Sequence, residues 1–287
     1  MLGRDHEPSD IERRRTMEQS RALPTEVDLS RPSAARVYDY FLGGAHNFEI
    51  DRQLAQQIAA MTPNLADTMR AGRAFLRRAV AELTRLGVDQ YLDIGSGIPT
   101  VGNVHEVAQG INPKARIVYV DIDPVAVAHS RSILEDNPLT AVIQADVRDP
   151  AHILSEARET GLLDFTKPIG VLLAGIVHFV PDSDDPDRLM AALRDAVPPG
   201  SYLVISHSTY EDQPQEMLDA QKLSARTATE ITLRSKAQVS AYFGDWELLE
   251  PGVVHMPLWR PDSPDDVDDQ PERFGAFGGV ARKPAAG

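Results

Sequence analysis

None of the 287 residues is a cysteine. That absence removes disulfides, thiolate metal sites and a cysteine nucleophile together, so nothing here calls for an oxidising compartment. Lysine is scarce as well: Lys114, Lys167, Lys222, Lys236 and Lys283 stand against 24 arginines, a skew that reads as coding bias rather than function. No run of 18 uncharged apolar residues occurs, and the opening MLGRDHEPSDIERRR is charged with no apolar stretch. The sequence therefore predicts neither a membrane span nor a secretory signal, and points to the cytoplasm. Positive charge is short overall, with 29 Lys and Arg against 43 Asp and Glu and a formal net charge of −14. Binding to a phosphate backbone usually needs a basic stripe, so nucleic acid is disfavoured as a partner and a small molecule favoured. His105, His129, His152 and His255 are scattered without metal-ligand spacing, and no metal is expected.

What is present supports a substantial core: 42% of the residues are hydrophobic, enough for one large domain with a small appendage. Residues 1–30 mix charge and proline without apolar period and read as a flexible leader. Residues 31–88 read as an N-terminal helical segment packed on the core as a lid, with two helices parted by Gly43-Gly44 and a third over 64–86. The third presents Leu65, Met69, Gly72, Leu76, Ala79, Leu83 and Leu86 on one face, which places Arg70, Arg73, Arg77 and Arg85 away from it. From residue 89 to 287 short apolar runs alternate with helical stretches, the mark of βαβ units. Strands are predicted at 90–94, 116–121, 141–145, 169–175 and 201–207, with helices near 100–110, 124–136, 150–160 and 185–196. A longer helical region is expected over 214–243. Two β-like runs, 246–256 and 274–282, flank an acidic, proline-rich loop and suggest a closing antiparallel hairpin.

Two segments carry the chemistry. QYLDIGSGIPT, at 90–100, runs an apolar strand into Asp93-x-Gly95-x-Gly97, and VYVDIDP ends a second strand on Asp121 and Asp123. The glycines let the backbone turn sharply and approach a ligand closely, and a second-strand carboxylate accepts both hydroxyls of a ribose. Asp123 before Pro124 reads as a helix cap. A dinucleotide fingerprint needs a third glycine where Thr100 stands, which weakens a nicotinamide reading, as does the lack of a Tyr-x-x-x-Lys pair. S-adenosylmethionine needs a glycine turn, a ribose acid and a polar group for the adenine at the next strand end, where Asp146 follows Gln144-Ala145.

These three sites in order resemble a class I S-adenosylmethionine-dependent methyltransferase. The segments RPSAARVYDYFLGGAHNFEIDRQLA, YLDIGSGIPTVGNVHEVAQ, VYVDIDPVAVAHSRSIL, ADVRDPAHIL, IVHFVPDSDDP, GSYLVISHSTYE and MPLWRPD are similar to those of an actinobacterial S-adenosyl methyltransferase family long described only as a domain of unknown function. The resemblance covers roughly residues 30–283. It implies an α/β, Rossmann-like, mostly parallel seven-stranded sheet in the order 3-2-1-4-5-7-6, last strand antiparallel, with an N-terminal helical lid. By motif position it implies Gly95, Ser96 and Gly97 along the methionine part, Asp121 on the ribose, Asp146 on the adenine amino group, and Ile122 and Val147 flanking the ring. Asp93 would orient the glycine loop or the cofactor's amino group. Relatives carry a polar residue where Ile122 stands, but a hydrophobe there still suits an adenine wall.

Other candidates follow from placement. His178, beyond the fourth strand, lies where this fold turns side chains toward the methyl group, and an imidazole there could act as a general base; the rival is a structural histidine. His207, Tyr210, Glu211 and Asp212 follow the fifth strand on the expected acceptor side. In the lid segment, Tyr38 and Asn47 are expected to approach the cofactor, with Gly43-Gly44 permitting a hinge. No NPPY-type motif follows the fourth strand, which argues against amino methylation of nucleic acid. The expected function is methyl transfer to a small molecule. A non-catalytic adenosyl-binding regulator is the alternative, and a nicotinamide-dependent oxidoreductase stands behind it.

Overall fold

A computed structural model describes residues 30–285, apart from 63, 100–101, 214–230, 264 and 266. The chain opens with three helices, α1 (Ala34–Phe41), α2 (Glu49–Met61) and α3 (Leu65–Arg85). The loop between α1 and α2 is organised by Asp39, buried on α1, whose carboxylate takes the backbone N–H of His46 and the side-chain amide of Asn47, both at 2.8 Å. The N–H of Gly44 in turn reaches the Asp39 carbonyl at 2.8 Å.

The alternating pattern then resolves into β1 (Gln90–Ile94), α4 (Val104–Ile111), β2 (Arg116–Asp121), α5 (Pro124–Ile133), β3 (Thr140–Gln144), α6 (Pro150–Glu159), β4 (Gly170–Ala174), α7 (Pro186–Asp195) and β5 (Tyr202–Ser208). Helices α5, α6 and α7 all start the same way. Asp123, Asp149 and Asp185 each precede a proline and accept from backbone N–H groups of the first turn, satisfying donors that the helix leaves open. Strands β1 to β5 pair in parallel.

The chain closes with a short helix α8 (Lys236–Ala241), strands β6 (Glu247–Leu248) and β7 (Val254–His255), and β8 (Ala276–Arg282). The sheet order is β3-β2-β1-β4-β5-β8-β6, with β7 also pairing β8, and β8 runs antiparallel to β5 and to both short strands. The expected sixth strand is thus present in two pieces. A turn closed by the Gly252 N–H on the Leu249 carbonyl, 2.8 Å, interrupts it. The helix expected over 214–243 is partly outside the described residues, since 214–230 are among those left out. Within the described part only α8 is helical, and 231–235 are not.

Apolar layers cover both faces of the sheet. On one, Phe75, Leu76, Ala79, Val80 and Leu83 of α3 pack with Tyr91, Leu172, Val204 and Val280. On the other, α6 and α7 meet Leu92, Val118, Leu173 and Ile205. Trp259, fully buried, sets its ring edge-on to Phe75 with centroids 5.5 Å apart. Arg78 ties that turn to α3 by donating to the carbonyls of Trp259 and Met256 at 3.0 and 2.8 Å. Truncating such a residue loses transfer energy and leaves a cavity. Phe75→Ala is expected to lower unfolding stability by about 3–5 kcal/mol in urea titrations; a loss under about 1 kcal/mol would contradict this packing.

Candidate functional site

The carboxyl ends of β1, β2 and β3 meet at one edge, where open α/β sheets place ligands. After β1 the backbone turns through Gly95 (φ +73) and Gly97 (φ +67), conformations that side chains other than glycine adopt at a cost. A Cβ on Gly95 would lie 2.5 Å from Ile176 Cγ1, whereas one on Gly97 would meet nothing within 4 Å. The turn is therefore packed on one side and open on the other. Its Gly95 and Ser96 N–H groups donate to the Val120 carbonyl at 2.8 and 3.1 Å.

Asp121 ties the site together. One carboxylate oxygen takes the Gly97 N–H at 2.7 Å and the other takes the Asp123 N–H at 2.9 Å. Burial nevertheless pushes its pKa up to about 6, against the pull of those backbone donors. Each oxygen keeps lone-pair capacity for a further donor. In the same turn, Ser96 Oγ is buried with no hydrogen-bond partner, a polar atom that a ligand lying in the turn would satisfy.

Asp93, 4% exposed, is pushed up to about 7, mainly by burial, with Arg73 opposing the shift and Asp121 adding to it. Tyr119 beside it accepts the His105 backbone N–H at 2.8 Å and pairs with His105 Nδ1 at the same distance. Arg73, off the apolar face, is half-buried, with its guanidinium 5.8 Å from the centre of the Tyr38 ring. The apolar period marked the core face of α3 but said nothing of its flank. Arg70, Arg77 and Arg85 are the more exposed members, as expected. A separate cleft of about 510 Å³ lies between α3 and the 257–274 segment. Its Arg70 and Arg273 are engaged by Asp67 and Asp268 at 2.9 and 2.7 Å.

After β3, Asp146 is half-buried and held by Arg148, whose Nε lies 3.0 and 2.9 Å from its two oxygens. That pairing keeps the Asp146 carboxyl below its usual range. Arg148 also approaches Asp184 at 3.6 Å, a partnership the sequence pattern did not reveal. Ile122 is 55% exposed although flanked by Asp121 and Asp123, an uncovered apolar surface at the site. Val147 is half-buried against the core.

The N-terminal helices dock on the same acidic turn. Ser33 Oγ bonds Asp123, and Arg36 lies 3.6 Å from that carboxylate while bonding Asp51 at 2.8 Å. The His46 ring lies tilted against His129 of α5, centroids 4.2 Å apart and planes at 58°. Burial, then His46, pulls His129 down to about 4. Tyr38 donates its hydroxyl to the Met69 carbonyl at 3.2 Å. Asn47 is buried, with its amide N–H groups on Asp39 and the Gly44 carbonyl and its oxygen facing Arg52 at 3.3 Å.

On the other flank, His178 is half-buried after β4, its Nδ1 3.4 Å from Ser208 Oγ, and burial followed by His207 and Arg234 lowers its pKa to about 3. His207 has a fixed tautomer. Arg234 donates to its Nε2 at 3.0 Å, so Nδ1 carries the proton and donates to the Ser208 carbonyl at 2.7 Å. With its free lone pair so occupied, and its pKa drawn down to about 4, His207 is no proton acceptor. Arg234, 2% exposed, also bonds the Val180 carbonyl and Asp182 at 2.9 and 2.6 Å. Nothing in its local sequence marked it. Tyr210 is exposed, and Asp212 faces His255 at 3.3 Å.

Fold and site define a Rossmann-like α/β protein with the layout of an adenosine pocket: a glycine turn after the first strand and carboxylates after the second and third. The chain belongs to the S-adenosyl methyltransferase family, whose model matches residues 20–284. It is 42% identical to a candidate methyltransferase from Thermobifida fusca YX, over 90% of this chain and 97% of that one, with a TM-score of 0.84. With a DUF574 family protein from Streptomyces avermitilis MA-4680 the identity is 38%, over 90% and 100% of the chains, with a TM-score of 0.85. A stretch of 94 residues is 30% identical to ribosomal RNA small subunit methyltransferase H of Halorhodospira halophila, covering 33% of this chain. The chain spans 27% of that protein's length and 15% of a second curated relative's. The family implies S-adenosylmethionine as methyl donor. Among the described residues, no helix is long and apolar enough to cross a membrane.

Asp93 makes a prediction of definite sign. Its pKa is raised in the folded state, so its burial penalty is absent below about pH 4, the ordinary carboxyl range, grows as pH rises, and is complete above about 7. Asp93→Asn removes the penalty and is expected to raise stability at pH 7 by on the order of 3 kcal/mol while leaving it nearly unchanged at pH 4. Denaturant unfolding at the two pH values checks this; equal effects at both would refute it.

Proposed function

We propose that the protein is a cytoplasmic methyltransferase that moves a methyl group in line from S-adenosylmethionine to a small-molecule acceptor, with neither nucleic acid nor a membrane as partner. The observation that carries this is the convergence at one sheet edge of an open glycine turn, an unsatisfied Ser96 hydroxyl and the twice-bonded carboxylate of Asp121. S-adenosylmethionine, when bound, supplies a methyl group already activated by its sulfonium.

The chain's own residues are left with binding, orientation and exclusion of water. Asp121 accepts the ribose hydroxyls, Asp146 takes the adenine amino group beside its Arg148 partner, and Ile122 and Val147 cover the ring. Gly95, Ser96, Gly97 and Asp93 line the methionine part. The segment 31–88 acts as the lid, with Tyr38 and Asn47 on its inner side. Holding donor and acceptor in line is worth on the order of 7–11 kcal/mol in favourable cases. His178 accepts a hydrogen bond from the acceptor's nucleophile. An imidazole that stays neutral at working pH suits orientation better than proton storage. The surplus of acid over base, 43 residues to 29, supports a small acceptor over a phosphate polymer.

The test is transfer of label from methyl-labelled S-adenosylmethionine in a cell extract. Label is expected in the small-molecule fraction, and Asp121→Ala is expected to abolish both that transfer and cofactor binding measured by calorimetry. Label in nucleic acid would overturn the acceptor class. Binding without transfer to any fraction would favour the non-catalytic regulator.

A further inference from the structure

Arg234, 2% exposed, lies just ahead of α8, and the groups its guanidinium bonds among the described residues all belong to the flank beyond β4 and β5. Nη1 donates to His207 Nε2 at 3.0 Å and to the Val177 carbonyl at 3.4 Å. Nη2 donates to the Val180 carbonyl at 2.9 Å and to Asp182 at 2.6 Å. The backbone N–H of the same residue reaches the Ser208 carbonyl at 3.3 Å. Val177 and Val180 bracket the turn that carries His178, and the His178 carbonyl itself takes the Thr232 N–H at 2.8 Å. One short segment, 232–234, thus pins that turn to the end of β5.

The His178 ring is held as well. Its Nδ1 lies 3.4 Å from Ser208 Oγ, and the ring meets Phe179 and His207 edge-on, with centroids 4.4 and 5.8 Å away. Among the described residues its Nε2 has no hydrogen-bond partner, so Nε2 is the nitrogen that can meet an acceptor molecule. His207, whose tautomer Arg234 sets, is wedged between the cation and the His178 ring. Tyr242 backs both, its ring centre 5.6 Å from the guanidinium carbon and 6.1 Å from the His207 ring. A planar guanidinium with five N–H donors can serve two carbonyls, a carboxylate and an imidazole lone pair at fixed angles, whereas an ammonium has three donors and no fork. Asp182, the acid it bonds, is itself 76% exposed on the same turn, so Arg234 is not there to neutralise a buried carboxylate.

We propose that Arg234 is a positioning residue for methyl transfer: it holds the 177–182 turn and the His207 ring so that His178 Nε2 meets the acceptor's nucleophile. It acts on the acceptor step and not on cofactor binding. This rests on the methyltransferase reading, and on the part His178 takes in it, and deepens both.

The experiment follows the full chain by three readouts: calorimetry with S-adenosylhomocysteine, transfer of label from methyl-labelled S-adenosylmethionine to the small-molecule fraction of a cell extract, and nitrogen NMR of the histidine rings. In the wild type, His207 is expected to carry its proton on Nδ1 alone. Arg234→Met should leave the affinity for S-adenosylhomocysteine nearly unchanged and release His207 into a mixture of tautomers. Transfer should fall roughly 10- to 100-fold, the size of a small misplacement beside a reacting group. Arg234→Lys should recover part of it. His207→Leu keeps the cation but removes its ring acceptor and should repeat the loss of transfer, while His207→Gln, with an oxygen at similar reach, should recover part. Should Arg234→Met not fold, the His207 pair decides. Transfer near the wild-type level in folded Arg234→Met or in His207→Leu, or an equal fall of affinity and transfer in either, would overturn the proposal alone. A wild type that fails to bind S-adenosylhomocysteine, or binds it and labels nothing, would overturn the methyltransferase reading, and this proposal with it.

Discussion

Two carboxyl groups buried where β1 and β2 end, Asp93 and Asp121, constrain the rest of the molecule. Burial alone would expel a carboxylate or force it to stay protonated. Asp121 is held by the N–H groups of Gly97 and Asp123, so the glycine turn and the start of α5 are joined through one side chain. Asp123 in turn caps α5 and receives Ser33 and Arg36 from the N-terminal segment. The position of the first helices is therefore connected, bond by bond, to the acid proposed to read the ribose.

That arrangement is poor design for stability and good design for a site. Asp93 and Asp121 both sit above their ordinary pKa range, which means that folding works against their charge at neutral pH. A ligand bringing hydroxyl and ammonium donors to these carboxyls, as proposed, would relieve that penalty. Locally unfavourable features concentrate where function requires them, and the surrounding apolar layers hold them in place. The flank after β4 and β5 has a different character. His178 and His207 are kept neutral beside Arg234, and both ring nitrogens of His207 are already engaged.

The strands and the glycine turn were legible in the sequence because they depend on local pattern. Strands β1 and β2 fall on the residues that the apolar runs at 90–94 and 116–121 mark, and the Asp-Pro pair at Asp123 announced its cap. Less legible was whatever depends on a partner distant in sequence. Arg73 lies away from the apolar face that periodicity marks, but periodicity does not show that the Tyr38 ring covers it. The grip of Arg148 on Asp146 and that of Arg234 on His207 follow from tertiary packing. The edge strand was expected whole and is broken by the Leu249–Gly252 turn, since two short pieces laid along the same edge of β8 leave almost the same alternating signature as one strand.

Asp93 and Asp121, two buried carboxyls whose pKa values burial raises, are proposed to form the receiving surface for a charged nucleoside. Calorimetry of S-adenosylhomocysteine binding near pH 6.5, repeated in buffers of different ionisation enthalpy, tests that role directly. Tight binding with net release of protons is expected, because the fraction of Asp93 and Asp121 still protonated at that pH ionises as the ligand's ammonium and hydroxyls arrive. Binding with no dependence on buffer, or with proton uptake, would contradict it.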